Sequence, residues 1–353
     1  MAVTKPDNYH EEQNKQNILK MRAVLDTLPD FCRLFFRGIE QYTSARTRLA
    51  YAYDIRVFFE YLHERNSVCA KMEIRDYPLS ILDHITRVDI EEYLEYISYY
   101  EKDGKEFTND ERGKSRKLAS LRSFYNYYFE NEMIGKNPAA LVPMPKRHEK
   151  EIIRLEPNEV AMLLDQVEDG TKLTQKELEY HKKTKLRDVA ILTLLLGTGI
   201  RVSECVGIDL QDINFDEGGI KIRRKGGYET IIYFGDEVET ALLDYLEERE
   251  HIIPAEGHEN ALFLSLQNRR MAVRSVENLV KKYASRVTTL KKITPHKLRS
   301  TYGTNLYRET GDIYLVADVL GHKDVNTTRK HYAAQEDERR RRAAKAVHLR
   351  EKD

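Results

Sequence analysis

Residues 187–204 read RDVAILTLLLGTGIRVSE, and this stretch decides how the second half of the chain folds. Its first ten residues, up to Leu196, are mostly apolar, which predicts a buried α-helix. Gly197 and Gly199 are expected to end that helix, because glycine is common just past the last helical turn. Arg201 follows the Gly-Thr-Gly turn, so a permanently charged guanidinium is expected beside the end of a buried helix.

Helical patterns lie on both sides of this stretch. Apolar residues repeat at helical spacing between residues 24 and 133, as in Ile55, Phe58, Phe59 and Leu62. The one clear strand pattern is at residues 220–233, where apolar and polar residues alternate around Gly226-Gly227 and predict a hairpin. Residues 261–265 are a candidate short strand. Further helices are expected at about residues 274–286, 294–309, 313–320 and from 327 onward.

The composition predicts a protein that buries a hydrophobic core and has no membrane-spanning helix. The chain has 353 residues, of which 41% are hydrophobic and 33% charged. The longest nearly apolar run, residues 189–200, is far shorter than the ~20 residues that a membrane helix needs. The polar start of the chain does not resemble a secretion signal. Three widely spaced cysteines lack the spacing of metal ligands, so they are expected to be reduced thiols in a cytoplasmic protein.

The segment boundaries follow from proline and polarity. Residues 1–25 are polar and are expected to be poorly ordered. Residues 26–142 form a helical domain, and residues 143–153 form a linker, because Pro143 and Pro145 cannot continue a helix. Residues 154–353 form a second domain with a charged C-terminal helix or tail, and a short helix or surface insertion is expected at residues 170–186.

The charges are balanced overall but segregated along the chain. The 58 basic and 58 acidic residues give a net charge of zero, which by itself argues against a nucleic-acid partner. However, residues 269–299 hold ten Lys/Arg and one acid, so one surface can still be strongly positive. The basic residues singled out as candidate DNA contacts are Arg46, Arg48, Lys114, Arg116, Lys117, Arg122, Arg274, Lys281 and Lys282.

Six residues form an ordered set of candidate catalytic groups: Arg201, Lys225, His296, Arg299, His322 and Tyr332. Lys225 lies beside the expected hairpin turn. His296 and Arg299 are three residues apart, and with Thr294 as N-cap and Pro295 at the first helical position they project from one helix face. His322 follows a glycine that can end a helix, and Tyr332 lies in the next short helix.

These groups suit the transfer of a phosphoryl group to a protein nucleophile. Two arginine forks can bind the non-bridging oxygens of a phosphodiester and the charge that develops on them. A tyrosine hydroxyl with a pKa of ~10 is a poor nucleophile unless positive charge and a histidine assist it. A lysine can protonate the leaving oxygen. Neither a metal nor another cofactor is expected, because arginine and lysine supply the positive charge.

The same motifs are similar to those of the tyrosine recombinase (phage integrase-like) superfamily, over residues 28–332. The family's first-arginine box, G-T-G-x-R-x-S-E, is matched around Arg201. Its hairpin lysine is matched by Lys225, its H-x-L-R box by His296 and Arg299, and its L-G-H box and nucleophile by His322 and Tyr332. The Xer branch, and within it the XerS-type single recombinases, is most similar. That resemblance rests on the length, on two stretches, LPDFCRLFFRGIE and YPLSILDHITRVDIEEYLEYI, and on the polar insertion ahead of RDVAILTLLLGTGIRVSE.

This resemblance implies a mainly α protein with a small antiparallel β-sheet, arranged as a two-domain C-shaped DNA clamp. The clamp pairs a helical SAM-like core-binding domain with a mixed α/β catalytic domain. It implies a partner, double-stranded DNA with a specific recombination site, that is cut and rejoined through a 3′-phosphotyrosyl intermediate and a Holliday junction. It also implies a homotetramer on DNA that exchanges C-terminal helices, with no role for a membrane, a metal or ATP.

Two departures from the family pattern leave alternatives open. Ser300 stands where the family usually has a second histidine, which predicts altered local packing or hydrogen bonding only. The Xer branch commonly has its tyrosine nine residues after the L-G-H histidine, and several integrases have it ten residues after. Tyr332 lies ten residues after His322. His331 lies nine residues after it, but imidazole does not form the family's stable phosphotyrosyl link. Chromosome dimer resolution is the leading role, and an integrase of a mobile element is the alternative. A type IB topoisomerase and an inactive DNA-binding protein have less support.

Overall fold

The computed structural model describes residues 9–146, 153–224, 227–322 and 324–325. The chain divides into two compact units, Met1–Lys150 and Glu151–Asp353. Both consist mainly of α-helices with small antiparallel sheets, which confirms the predicted fold class. In the described part of the chain, no helix has the length and apolar character needed to cross a membrane.

The first unit is a helical domain with one exposed hairpin. Helix α3 begins after Ser44, whose hydroxyl accepts a hydrogen bond from the Thr47 amide, and α6 begins after Asp110, whose carboxylate accepts one from Gly113. The elements are α1 (Tyr9–Leu25), α2 (Cys32–Gly38), α3 (Ala45–Arg65), α4 (Ile81–His84), α5 (Arg87–Tyr96), β1 (Tyr99–Lys102), β2 (Lys105–Thr108), α6 (Glu111–Glu130) and α7 (Pro138–Leu141).

Aromatic side chains fill the core of the first unit. Phe58 and Phe59 of α3 and Phe124 of α6 are fully buried, as their helical spacing predicts. Phe124 packs edge to face against Phe35 of α2, with ring centroids 5.1 Å apart. Burial of each such ring contributes roughly 1.5–3 kcal/mol, so this cluster holds α2, α3 and α6 together.

Two features of this unit differ from the expectation. Residues from Tyr9 onward form α1, which packs on α3 and buries Met21, Val24 and Leu25, so they are not a poorly ordered segment. Residues 99–108, expected to be helical, form the β1–β2 hairpin. Asp103 and Gly104 both have positive φ, and this Asp-Gly pair is a turn signal that the helical periodicity around it obscures.

The second unit places three strands among its helices. The sheet order is β3-β4-β5, antiparallel throughout, and β4 and β5 form the predicted hairpin. Its register pairs Ile220 with the buried Ile232, so Ile231 and Tyr233, the apolar residues that alternate along β5, lie on its exposed face. Residues 261–265 form isolated bridges rather than a strand. The elements are α8 (Pro157–Asp169), α9 (Gln175–His181), α10 (Lys185–Thr198), α11 (Val202–Cys205), β3 (Ile213–Asn214), β4 (Gly219–Arg223), β5 (Glu229–Tyr233), α12 (Asp236–Glu250), α13 (Val273–Val287), α14 (Pro295–Thr310) and α15 (Ile313–Leu320).

Helix α10 is the central helix of the second unit. It contacts α8, α12 and α14, and residues 190–195 are almost all buried, because a helix that is apolar on every side must be covered on every side. Gly197 does not end it but lies inside it, where a Cβ atom would collide with Val238 of α12. Gly199, with φ of 63°, is the residue that ends the helix.

A buried ion pair links α3 and α6 inside the first unit. Asp54 is 1% exposed, and its carboxylate accepts hydrogen bonds from Arg116, from Lys117 at 3.4 Å and from Ser120 at 3.2 Å. Burial raises the pKa of Asp54 and lowers the pKa of Lys117, and each opposite charge acts against that effect of burial. Each charge is therefore tolerated only because the other is present.

Asp54→Ala is expected to lower the free energy of unfolding by about 3 kcal/mol, because it leaves the Lys117 ammonium buried without its counter-charge. Urea denaturation followed by circular dichroism measures the change. The double variant Asp54→Ala/Lys117→Met is the control, and it should be closer to wild type than the single variant. A single variant as stable as wild type would contradict this account.

Candidate functional site

Arg201 is held in place by the carboxylate of Glu204. It is the N-cap residue of α11, its amide donates to Glu204 Oε2 over 2.7 Å, and its guanidinium Nη1 donates to Glu204 Oε1, also over 2.7 Å. Glu204 is buried, whereas the Arg201 side chain remains 35% exposed. One carboxylate therefore caps the helix and orients a guanidinium that solvent can still reach.

Arg299 reaches the same place from α14. It is 5% exposed, its Nη1 donates to the Gly199 carbonyl over 2.6 Å, and its Nη2 donates to the carbonyl of Leu320. Gly199 cannot be another residue without strain, since a Cβ atom there would collide with Tyr302 and its φ is positive. The turn before Arg201 is thereby attached to Arg299, 100 residues later in the chain.

The carboxyl end of α15 is where these groups meet. Gly321 ends the helix with φ of 61°, and its carbonyl accepts a bond from Arg201 Nη2 over 3.3 Å. The amide of the next residue, His322, donates back to the Ala317 carbonyl over 2.8 Å. The structure therefore brings Arg201, Arg299 and the main chain of His322 together, and their membership of one catalytic set stays a prediction.

A third arginine, which the sequence pattern did not single out, also bonds to the end of α15. Arg224 follows β4, and its Nη1 and Nη2 donate to the carbonyls of Asp318 and Val319. Four consecutive carbonyls at the end of α15 thus accept from three guanidinium groups. The last carbonyls of a helix have no partner within it and carry partial negative charge, so they suit cationic donors.

His296 lies one helical turn before Arg299. It follows Pro295 in the first turn of α14 and is exposed, whereas Arg299 is buried, so the two side chains differ in their access to solvent. Thr294 is the N-cap residue as predicted, but its side chain makes no cap hydrogen bond. Ser300 donates to the His296 carbonyl over 3.0 Å, which is a local contact of the kind expected for this substitution.

Lys225 and Tyr332 lie outside the described residues. The main chain on either side of Lys225 is described: the Gly227 amide donates to the Arg224 carbonyl over 3.0 Å, as in a tight turn between β4 and β5. The roles of Tyr332 and of the tail beyond it stay predictions from the sequence.

The candidate phosphate contacts of the first unit differ in burial and in the acceptors they meet. Arg48 and Lys117 are buried, and their donors bind acceptors of the protein itself, so we assign them to the fold and not to phosphate contact. Arg122 is half-buried and donates to the carbonyls of Ala139 and Val142. The remaining three are Arg46, which is exposed, Lys114, which is half-buried, and Arg116, which is exposed beside Asp54.

The three candidates of the second unit all lie on α13. Arg274 and Lys281 are exposed, and Arg274 pairs with Glu277 at 3.0 Å. Lys282 is half-buried with its ammonium 4.4 Å from the centre of the Tyr283 ring, and burial lowers its pKa. Across residues 9–146, 153–224, 227–322 and 324–325, no cluster of His, Cys, Asp or Glu side chains has the arrangement of a metal site.

Comparisons with known proteins agree with the geometry of the second unit. The model of the phage integrase family matches residues 154–339. Tyrosine recombinase XerC of Caldanaerobacter subterraneus subsp. tengcongensis is 35% identical over 81% of this chain and 77% of its own length. Tyrosine recombinase XerD of Oceanobacillus iheyensis is 29% identical over 83% of this chain and 89% of its own.

Solved structures show the same fold. XerH site-specific recombinase, in a post-cleavage complex with palindromic difH substrate, aligns with a TM-score of 0.64 and 20% identity over 85% of this chain and 80% of that one. The Tn1549 transposon integrase in complex with circular intermediate DNA aligns with a TM-score of 0.61 and 20% identity, over 87% and 98% of the two chains.

The matched family and the arginine–histidine site define a class of enzyme, the site-specific recombinases that use a tyrosine. The chain belongs to the phage integrase family of tyrosine recombinases, in its Xer branch.

Glu204→Gln keeps the size of the side chain and removes the charge that orients Arg201. An uncharged amide holds a guanidinium less firmly, so we expect the rate of DNA recombination to fall by roughly tenfold while the protein stays folded. Glu217→Gln, at an exposed position, is the matched control and should recombine at the wild-type rate. Equal rates for the two variants would show that Arg201 does not depend on this carboxylate.

Proposed function

We propose that this recombinase cuts and rejoins duplex DNA at a specific site through a 3′-phosphotyrosyl intermediate. The observation that carries the proposal is the meeting of Arg201 and Arg299 at the adjacent carbonyls of Gly321 and Leu320, directly before His322. Two guanidinium groups from separate helices suit the two non-bridging oxygens of a phosphodiester. Our candidate catalytic set is Arg201, Lys225, His296, Arg299, His322 and Tyr332.

The proposed cleavage is a single displacement at phosphorus. The phenol oxygen of Tyr332 forms a bond to phosphorus, its proton passes to a histidine of the set, and the bond from phosphorus to the 5′-oxygen breaks. The electron pair of that bond stays on the 5′-oxygen, which takes a proton from Lys225. The arginines stabilise the charge that develops on the phosphoryl oxygens. Attack by a 5′-hydroxyl of the other duplex reverses the step and joins the exchanged strand.

Duplex DNA as the partner has support from charge and from the structural neighbours. Arg46, Arg274 and Lys281 are exposed cations suited to phosphate contact. XerH and the Tn1549 integrase, which share the fold, were solved with DNA. We assign core binding of DNA to residues 26–142, a linking role to residues 143–153 and catalysis to residues 154–353. The affinity should fall steeply with salt, because phosphate neutralisation releases counterions.

We assign the enzyme to the resolution of chromosome dimers in the cytoplasm. Support comes from the curated relatives, which carry the names XerC and XerD. On the DNA site we propose a homotetramer that exchanges its C-terminal segments. Ala343, Ala346, Val347 and Leu349 give this segment a small apolar stripe at roughly helical spacing, and so short a helix needs a docking surface to be stable in water.

Tyr332→Phe tests the nucleophile. The variant lacks the one oxygen that can form the ester, so it should bind DNA like wild type and form no phenol-stable adduct with nicked duplex. The duplex is one that the wild-type protein selects from random-sequence DNA, and the adduct is measured by denaturing gel electrophoresis. An adduct of unchanged yield would move the nucleophile to another residue, and His331 would be examined first.

The same substitution in the host chromosome tests the biological role. If the enzyme resolves chromosome dimers, cells that carry Tyr332→Phe should accumulate unresolved dimers and divide abnormally. Normal division, together with failure to excise a mobile element beside the gene, would assign the enzyme to that element instead.

Truncation after Gln335 tests the C-terminal exchange. The shortened protein keeps the proposed nucleophile, so monomer binding to a single site should be nearly unchanged, whereas synapsis of two sites should weaken and cleavage should no longer be coupled to strand exchange. Native gels and single-turnover cleavage measure the two effects. Recombination at the wild-type rate would show that the tail does not connect protomers.

A further inference from the structure

Arg224 joins the β4–β5 hairpin to the end of α15. Its side chain is 8% exposed, with Nη1 3.1 Å from the Asp318 carbonyl and Nη2 2.6 Å from the Val319 carbonyl. Its amide donates to the Tyr228 carbonyl across the hairpin over 3.0 Å. One residue therefore belongs to the hairpin through its main chain and to the α15 end through its side chain.

The glycine that ends α15 is adapted to this contact. Gly321 has a left-handed backbone, and a Cβ atom there would collide with the guanidinium of Arg224. The left-handed conformation favours glycine at this position, and the absence of a Cβ atom leaves the space that the Arg224 guanidinium occupies. The contact is part of the turn that leads directly into His322.

If the contact only joined the hairpin to the helix, an arginine would not be needed at position 224. A buried guanidinium is costly unless its donors are satisfied, and here Arg224 shares one helix end with Arg201 and Arg299, which carry the same charge. A neutral side chain such as glutamine could bond to a carbonyl without that repulsion. What arginine adds is a rigid fork that fixes two acceptors at once.

We propose that Arg224 is a positioning residue that fixes the hairpin carrying Lys225 against the segment carrying His322. The proposal rests on the proposed function, in which Lys225 protonates the leaving 5′-oxygen. Lys225 follows Arg224 directly in the chain, and His322 follows the carbonyls that Arg224 holds. A general acid works only within hydrogen-bond reach of its target atom, so a loose hairpin would slow proton delivery more than phosphate binding.

The test compares two leaving groups in single-turnover cleavage. The probe is a nicked duplex that the wild-type protein selects from random-sequence DNA, made with an ordinary phosphodiester or with a 5′-bridging phosphorothiolate at the cleaved position. An oxygen leaving group needs a proton, whereas a sulfur leaving group departs as a thiolate without one. The variants are Arg224→Gln, Lys225→Ala and both together, with the half-buried neighbour Arg223→Gln as matched control.

We expect Arg224→Gln to slow cleavage of the ordinary duplex by roughly ten- to a hundredfold, with DNA affinity within about twofold of wild type. Cleavage of the phosphorothiolate duplex should return nearly to the wild-type rate. The double variant should be no slower than Lys225→Ala alone, because both act on one proton transfer. Arg223→Gln should match wild type on both duplexes, and Arg224→Lys should fall between wild type and glutamine.

Each contrary outcome has one meaning. Equal loss on both duplexes, or no loss on either, overturns the positioning role while the proposed function stands. If Arg224→Gln unfolds, as circular dichroism would show, Arg224→Lys decides the matter by the same comparison. If the wild-type protein forms no adduct with either duplex, the proposed function itself fails, and the role of Arg224 fails with it.

Discussion

The second unit depends on the bonding of arginine side chains to the carboxyl end of α15. Arg201, Arg224 and Arg299 come from three different elements, yet their guanidinium groups donate to four consecutive carbonyls at residues 318–321. A helix end offers partial negative charge and free acceptors, which lowers the cost of burying cations there. Because the acceptors are main-chain atoms, the position of His322 is set by the same contacts that hold the arginines.

Glycine makes this arrangement possible. Because Gly199 has no side chain, the turn that ends α10 lies close to α14, and Arg299 of α14 donates to the Gly199 carbonyl. Gly321 leaves room for Arg224 at the end of α15. Gly197 has a different role, since it allows α10 to approach Val238 of α12. The sequence shows three glycines near helix ends, but only the packing around each one distinguishes a helix stop from a close contact.

Much of the fold and the grouping of the site could be predicted from the sequence. The periodicity of Phe58, Phe59 and Phe124 is a local property, and it identifies the core of the first unit correctly. The Arg201 and Arg299 motifs predict one catalytic site, and the structure places both guanidinium groups at the end of α15. The bonds of Arg224 could not be predicted, because they join residues about 95 positions apart, and α1 was missed because only its last turn is buried. Asp103-Gly104 is a turn signal inside a stretch whose apolar periodicity favours a helix.

The buried cations Lys117 and Arg224 bond to different kinds of acceptor, and the difference bears on function. In the first unit, the Lys117 ammonium faces the full negative charge of the Asp54 carboxylate, which Arg116 also contacts. In the second unit, Arg224 donates to the neutral carbonyls of Asp318 and Val319, which cancel little of its charge. Such a site keeps a positive field at fixed positions before any anion arrives. A phosphoryl group that gains charge during the reaction then meets donors that need no reorganisation, which is the form of catalysis that protein dipoles and cations supply best.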